Sequence, residues 1–444
     1  MKSYYLSGLI TFLILLAWLT TGWSGPLERM EIPSSPNPVG SGARALGMGG
    51  AYIGLANDAT AASWNPAGIG QLKKSEISMV SHYILRSEDN EINPAFGKGD
   101  SETIDDFNLN YLSAAFVIPQ QKNNVVVSLN YQQLFDFNRE WHMPVKLQNA
   151  NTIGDTTYDM VQEGEIYAMG FAVGAQLNEK LFAGITINDW GNLFYNRWKQ
   201  SHLQTGKFQI GPNEGISNAQ KNETYQMDGI NLNLGLIGKI TSHIQVGAVL
   251  KTPFKANLDL ERSLVISDTF PDFPTANQYQ ANQREYECHL RMPLSYGLGA
   301  AYIDRQHGWS FSADIYRTHW NQFEMELTDG RRISPISGLD MNEADVDPTI
   351  WIRCGGQKSF QLTNYLLEMR AGIFYDPAPA EHSPDDFWGM SLGGGIGNEM
   401  FTIDAAYQVR FGNDVGDSIL QDLDFSQDIV DHKFFVSFIY YLHQ

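Results

Sequence analysis

Cysteine is almost missing from this chain: Cys288 and Cys354 are the two cysteines among 444 residues. A disulfide framework is therefore excluded as the means of holding it together, and free thiols are the expected state. Positive charge is scarce too, with 30 Lys and Arg against 50 Asp and Glu, for a net charge of −20. Such a chain repels phosphates, which disfavours a nucleic-acid binder. Charged residues of both signs make up 18% of the sequence, below the usual ~25%. Beyond the N-terminal leader, no segment reaches the roughly 18 uninterrupted apolar residues that a spanning helix needs. Metal-ligand patterns are lacking as well. The ten histidines are scattered, without HExxH or a ligand pair at metal spacing. No cofactor or resident metal is expected.

Glycine is plentiful at 41 residues, and aromatic residues reach 12%. The length alone suggests two or three soluble domains at about 150 residues each. The N-terminus reads differently. Met1-Lys2 is a short positive region, Leu6 to Leu19 is apolar, and Gly22-Trp23-Ser24 offers a small-x-small cleavage pattern. Residues 1–24 are thus expected to be a signal peptide for export.

From Lys74 onward apolar residues recur at every second position, the mark of strands with two different faces. The segments are 77–85, 109–117, 125–131, 165–176, 181–194, 229–240, 244–260, 288–303, 308–323, 349–360, 365–376, 387–397, 400–411 and 433–442. That makes about fourteen, most near the roughly 9–11 residues of a tilted transmembrane strand. Short connections (119–124, 177–180, 241–243, 304–307, 361–364, 398–399) alternate with long ones. The long ones are 86–106, 139–164, 199–228, 261–287, 324–348, 377–386 and 412–432. An antiparallel barrel in an outer membrane, with short periplasmic turns and long external loops, predicts this rhythm. A soluble sandwich would also alternate, but its exposed face should be rich in Lys and Glu. Here the second face is mostly Gly, Ser, Asn, Gln and Thr. In the last segment Phe434, Val436, Phe438, Tyr440 and Leu442 form an unbroken apolar face, hazardous in water and at home in lipid.

The run from Gly40 to Gly70 reads GSGARALGMGGAYIGLANDATAASWNPAGIG. Its Gly42 to Ala51, Asn57 to Ala61 and Asn65-Pro66-Ala67-Gly68 resemble the N-terminal plug signature of the FadL-type family, outer-membrane transporters of hydrocarbons and long-chain fatty acids. Weaker echoes follow in order at Leu290 to Tyr302, Thr318-His319-Trp320 and Arg370 to Asp376. The resemblance implies a 14-stranded antiparallel transmembrane β-barrel (74–444) with an N-terminal hatch (25–73) inside the lumen. It implies a passive channel, not an enzyme, with a hydrophobic small-molecule ligand, outer-membrane lipid around it and a monomeric state. It places a lateral gap near the third strand, faced by the hatch turn Asn65, Pro66, Ala67 and Gly68. It also maps an apolar landing groove onto loops 199–228 and 261–287, the latter with Phe270 and Phe273. The chain departs from the family pattern at its last residue, Gln444, where an aromatic is usual. The hatch wording also resembles barrel components of type IX secretion systems, so a secretion role that anchors or shuttles exported proteins is the alternative.

With the apolar face outward, parity points Lys251, Arg291, Arg353, Arg370 and Arg410 into the lumen, beside Asp314, Glu368 and Asp404. Such a cation either meets a ligand carboxylate through a charge-assisted bond or pairs with an acid across the lumen. Pairing is the commoner fate of any one of them. Asn65-Pro66-Ala67-Gly68 reads as a stiff turn, since Pro fixes φ and Gly permits a tight bend. Gly389-Met390-Ser391-Leu392-Gly393 matches the nucleophile pattern G-x-S-x-G, but that motif needs a strand-to-helix turn and here a strand continues. Acidic runs such as Asp340 to Asp347 read as solvated loops.

Overall fold

The computed structural model describes residues 39–118, 123–148, 152–193, 196–210, 213–417, 419–420 and 424–442. The expected signal peptide lies outside them. The strands in chain order are β1 (Glu76–Glu91), β2 (Ser101–Ile118), β3 (Val125–Asp136), β4 (Arg139–Gln148), β5 (Thr152–Gln176), β6 (Leu181–Asp189) and β7 (Asn196–Ile210). They continue as β8 (Asn213–Asp228), β9 (Ile230–Lys239), β10 (Ile244–Lys251), β11 (Phe254–Thr269), β12 (Gln278–Met292), β13 (Ser295–Asp304) and β14 (Trp309–Thr318). The last are β15 (Glu324–Glu326), β16 (Arg332–Ile333), β17 (Thr349–Gln361), β18 (Leu366–Tyr375), β19 (Trp388–Gly397), β20 (Phe401–Val415) and β21 (Ser426–Tyr441).

Fourteen of them close a ring of antiparallel neighbours: β1, β2, β3, β5, β6, β9, β10, β13, β14, β17, β18, β19, β20, β21 and back to β1. The closing ladder runs from Glu76↔Tyr441 to Glu91↔Ser426. Closure leaves no strand of the ring with a free edge along its whole length, so the ladders satisfy most wall amides without water. Alternation sorts the faces as expected. In β21, Phe434, Val436, Phe438 and Tyr440 are exposed, while Phe435, Ser437 and Ile439 are buried inside. Each expected segment contains one wall strand.

The turns at one end are short, and four of them share a device. Asn178, Thr241, Asp304 and Asn398 each stand near the start of a turn, and each side-chain oxygen accepts two downstream backbone N–H groups at 2.8–3.1 Å. Such residues are favoured there because they mimic a backbone turn.

The other end differs from expectation. Much of the stretches 139–164, 199–228 and 261–287, read as long loops, is hairpin. Beyond the wall, β4, the first half of β5, β7, β8, β11, β12, β15 and β16 pair in that order into an outer sheet. β5 belongs to both layers, pairing with β4 and β7 outside and with β3 and β6 in the wall. Two segments read as single strands, 244–260 and 288–303, are each broken. The breaks fall at Thr252-Pro253 and Pro293-Leu294, where a residue without an N–H cannot carry the ladder. At these points the strands change partners: β10 pairs with β9 and β13, whereas β11 pairs with β8 and β12.

One wall ladder stops early. β2 pairs with β3 only from Ile118↔Val125 to Tyr111↔Gln132, while residues 101–109 of β2 pair with β1 alone. A seam therefore opens between β2 and β3 in the outer half of the wall.

Candidate functional site

Residues 39–72 fill the lumen. The segment is short of long side chains and folds into brief turns: a helix at Ala43–Gly47, another at Ala61–Trp64 and a 3-10 turn at Pro66–Gln71. The first helix stops where Gly49 and Gly50 take φ of 69° and 76°, a conformation that favours glycine. Helices this short leave most backbone groups unpaired internally, and the wall supplies the partners. Ser437 Oγ accepts the Ala43 N–H at 2.7 Å, and Gln408 donates to Leu46 O at 2.8 Å. Asp314 accepts the N–H groups of Tyr52 and Ile53 at 2.6 and 2.8 Å. Gln245 donates to Gly54 O at 2.7 Å, Tyr111 to Ala59 O at 3.0 Å, and Thr186 to Ala62 O at 3.2 Å.

Ser391, the centre of the G-x-S-x-G string, is one of these partners. It sits within β19, donates to Gly47 O at 3.0 Å and accepts from Gly49 N at 2.8 Å. Both polar roles of its hydroxyl are thereby taken.

The close fit depends on glycine in the wall. A Cβ on Gly184 would lie 2.2 Å from the Pro66 carbonyl carbon, and one on Gly247 would lie 2.3 Å from Ile53 O. On Gly355 it would lie 2.1 Å from Met48 O, and on Gly372 2.2 Å from Gly49 N. Gly174, Gly235, Gly299 and Gly393 meet the same segment at up to 3.0 Å. These residues form a collar on strands around the ring. Apolar alternation does not mark this collar, although glycines at inward-facing, mid-strand positions are a signal of it.

The Asn65–Gly68 turn is tightly held. Asn65 donates to Ile53 O and Leu236 O, each at 3.0 Å, and its Oδ1 accepts the Ala67 N–H at 3.2 Å. Gly68 leaves no room for a Cβ, which would lie 2.5 Å from Ala56 O. Within the ring the turn lies mainly against β5, β6 and β9. Pro66 and Ala67 pack on Gly184 of β6 and Gly235 of β9, and Ile69 packs on Gly174 of β5. At the foot of β3, Asn124 instead holds Gly70 O and Leu72 O at 3.0 and 2.5 Å.

The five cations divide. Arg353 donates to Gly49 O at 3.0 Å and pairs with Asp376 at 3.2 Å. Arg370 pairs with Asp404 at 2.7 Å and with Glu368. Arg410 pairs with Asp376 and Asp431, each at 3.3 Å. All three are buried and neutralised. Arg291 corrects the parity argument: it is exposed on β12, while its neighbours Leu290 and Met292 are buried. In the outer sheet the apolar face turns inward onto Phe323 and Met325, so the rule for lipid-facing strands inverts. Lys251 alone of the five lies in the lumen without a carboxylate among the described residues. Its Nζ donates to Val39 O at 2.7 Å and lies 5.9 Å from the Tyr316 ring centre.

Lys251 also borders a cavity of about 120 Å³ on the outer side of the inner segment. Trp190, Phe254, Met292, Tyr316, Trp320 and Trp351 supply its apolar lining. The indole N–H groups are already satisfied: Trp190 by Asn231 at 2.9 Å, Trp320 by Thr349 at 3.1 Å and Trp351 by Pro377 O at 3.0 Å. The rings can thus meet a ligand as apolar surface. One contiguous cluster joins Trp190, Met292 and Trp320 to the outer sheet. There Trp198 stacks between Phe137 and Tyr225, with ring centres 4.8 Å apart on each side. Phe270 and Phe273 lie at the β11–β12 turn, apart from the cavity lining. Phe270 is buried against Phe208 at 5.3 Å, and Phe273 is 58% exposed.

No protein-family model matches the sequence, and no curated relative is similar to it in sequence. Solved structures are similar in fold. A Pseudomonas aeruginosa FadL homologue superposes with a TM-score of 0.60 at 14% identity, over 91% of this chain and 99% of that one. The toluene transporter TodX of Pseudomonas putida gives 0.57 at 14% identity, over 92% and 100%. The toluene transporter TbuX of Ralstonia pickettii gives 0.52 at 14% identity, over 92% and 100%.

The glycine collar makes a direct prediction. Gly184→Val or Gly247→Val should unseat the inner segment at a cost of about 1–3 kcal/mol while the wall ladders persist. In planar bilayers either variant should raise ion conductance, with the heat-modifiable band of a folded barrel retained. Unchanged conductance would remove the collar from the seal. Taken together, the ring of strands, the filled lumen and the superpositions give this chain the fold of the FadL-type hydrocarbon channels.

Proposed function

We propose that this protein is a passive outer-membrane channel for hydrophobic molecules, and that its preferred ligands are amphiphiles with an anionic head, such as long-chain fatty acids. The observation that carries this reading is the aromatic cavity beside Lys251, set above a filled lumen in a barrel with an apolar exterior. Leu298, Ile373 and Leu392 are 59–65% exposed on the wall, a band that lipid covers and water does not. Similar folds named as toluene transporters and a monoaromatic hydrocarbon channel support an apolar cargo. Lys251 adds a partner for a carboxylate, since the other lumen cations named above are matched to acids. Capture would begin on the apolar inner face of the outer sheet and Phe273, and the ligand would then settle in the cavity. Rearrangement of residues 39–72 around the Asn65–Gly68 turn would follow.

Release is proposed through the seam between β2 and β3. Asn138 bridges it now, donating to Asp106 at 2.7 Å, and Asp105, Asp136, Arg86 and Lys433 line the small gap behind. Parting one side-chain contact there costs less than breaking a continuous ladder. Lateral exit also keeps an apolar solute out of water. A secretion role is not favoured by the cavity, whose size suits a small molecule.

Two tests follow. Lys251→Met should weaken binding of a C16 fatty acid roughly tenfold, in line with a lost charge-assisted bond, and leave a neutral alkane unaffected. Fluorescence titration of the cavity tryptophans reads both, and equal losses for the two ligands would reject the head-group role. For the exit, the double variant Asp106→Cys/Asn138→Cys should lose uptake when oxidised and regain it on reduction. Uptake indifferent to oxidation, with the crosslink verified by mass, would rule out the seam.

A further inference from the structure

Buried charges on one side of the lumen form a continuous chain. Arg353, fixed on Gly49 O, pairs with Asp376 at 3.2 Å; Asp376 pairs with Arg410 at 3.3 Å, and Arg410 with Asp431 at 3.3 Å. Asp431 continues to Arg86 at 3.7 Å and to Lys433 at 3.9 Å, and Arg86 continues to Glu88 at 2.6 Å. Glu88 also takes Arg139 of β4 at 3.0 Å and the Trp141 indole N–H at 2.6 Å. One end of the chain holds the inner segment, and the other holds the outer sheet.

The chain borders two openings. Asp376 and Arg410 line the aromatic cavity together with Lys251, whereas Arg86, Asp431 and Lys433 line the gap behind the β2–β3 seam. The Arg410–Asp431 pair joins one to the other.

Negative charge is in short supply along it. Asp376, Asp431 and Glu88 are each shared by two or more cations, and Arg410, Arg86 and Lys433 all converge on Asp431. Surplus positive charge in a buried place is costly. Asp106 and Asp136 answer it from the other side of the seam. Asp136 lies near enough to Arg86 to attract it, and near enough to Asp106 to be repelled. These two carboxylates can stay together because the cations of β1 and β21 stand behind them. Asp105 is exposed and receives the Tyr83 hydroxyl at 3.2 Å, while Glu165 accepts from Gln133 at 2.5 Å. Parting the seam would carry Asp106 and Asp136 away and leave the chain short of negative charge. An anion in the cavity beside Arg410 would make up the loss.

We infer that this chain couples the cavity to the seam. A carboxylate bound beside Lys251 satisfies Arg410 and releases Asp431 toward Arg86 and Lys433, which loosens their hold on Asp136 and lets β2 part from β3. Arg410 is then the residue through which the seam distinguishes an anionic ligand from a neutral one of equal length. The inference rests on the cavity and seam readings proposed above and adds their regulation. By linkage, whatever the anion does for opening, opening does for the affinity of the anion.

The test uses the full barrel in lipid nanodiscs, with Cys288 and Cys354 replaced by alanine. Spin labels are placed at Phe107→Cys of β2 and Glu163→Cys of β5, exposed positions on either side of the seam. Hexadecanoate should shift the label separation to a longer population, and hexadecanol should not. In Arg410→Gln the shift should disappear while hexadecanoate still binds at Lys251. Asp106→Asn/Asp136→Asn keeps the shapes and removes only charge, so it should bind hexadecanoate about fivefold more tightly and hexadecanol unchanged. An equal shift with hexadecanol, or unaltered hexadecanoate affinity in the asparagine pair, would overturn the coupling. Failure of the unaltered barrel to bind hexadecanoate in the tryptophan titration would instead overturn the cavity reading on which it rests.

Discussion

A polypeptide packed inside a closed barrel has little water to satisfy its backbone, so the wall must satisfy it. That demand organises this protein. Residues 39–72 fold into turns too short to pair all of their own amides and carbonyls, and side chains around the ring provide further partners. Asp314 takes two N–H groups, Ser391 bridges Gly47 and Gly49, and Gln245 and Gln408 reach carbonyls. None of this works at the usual distance between a strand and its neighbour. Glycine in the wall lets the two backbones approach until even one added carbon would clash. The abundance of glycine and the polar character of the inner face are two sides of the same requirement.

The charges follow from it as well. Arg353, Arg370 and Arg410 are buried in the lumen, where an unpaired cation is costly. Each is matched by carboxylates, with Asp376 shared between Arg353 and Arg410. Lys251 is held by a backbone carbonyl instead, at the edge of the aromatic cavity. The scaffold that holds residues 39–72 therefore leaves Lys251 without a carboxylate partner among the described residues, beside the apolar ring faces of the cavity.

The wall was legible in the sequence because lipid and lumen impose opposite demands on alternate residues, and that conflict writes a period of two. The outer sheet was not legible for the same reason in reverse. Away from lipid, β7 and β8 can expose polar residues on one face and place Trp198, His202 or Glu223 on the other, so no apolar alternation marks them. Arg291 shows how the parity rule fails there, since the apolar side of β12 turns inward. Pro253 and Pro293 were visible, but their meaning as the boundary between wall and outer sheet needed the pairing. Within the site, the Asn65–Gly68 turn could be recognised as stiff. Its neighbours could not, because they come from β5, β6 and β9, more than a hundred residues away along the chain.

If the cavity beside Lys251 receives hydrophobic molecules on their way through the membrane, some should stay with the barrel. The most direct measurement is to purify the intact barrel from its own membrane and identify the small molecules that remain bound, by mass spectrometry after denaturation. Fatty acids or comparable amphiphiles are expected near one per barrel, depleted in preparations bearing Trp320→Ala. A barrel that carries no such molecule and instead retains an exported polypeptide would contradict that role of the cavity.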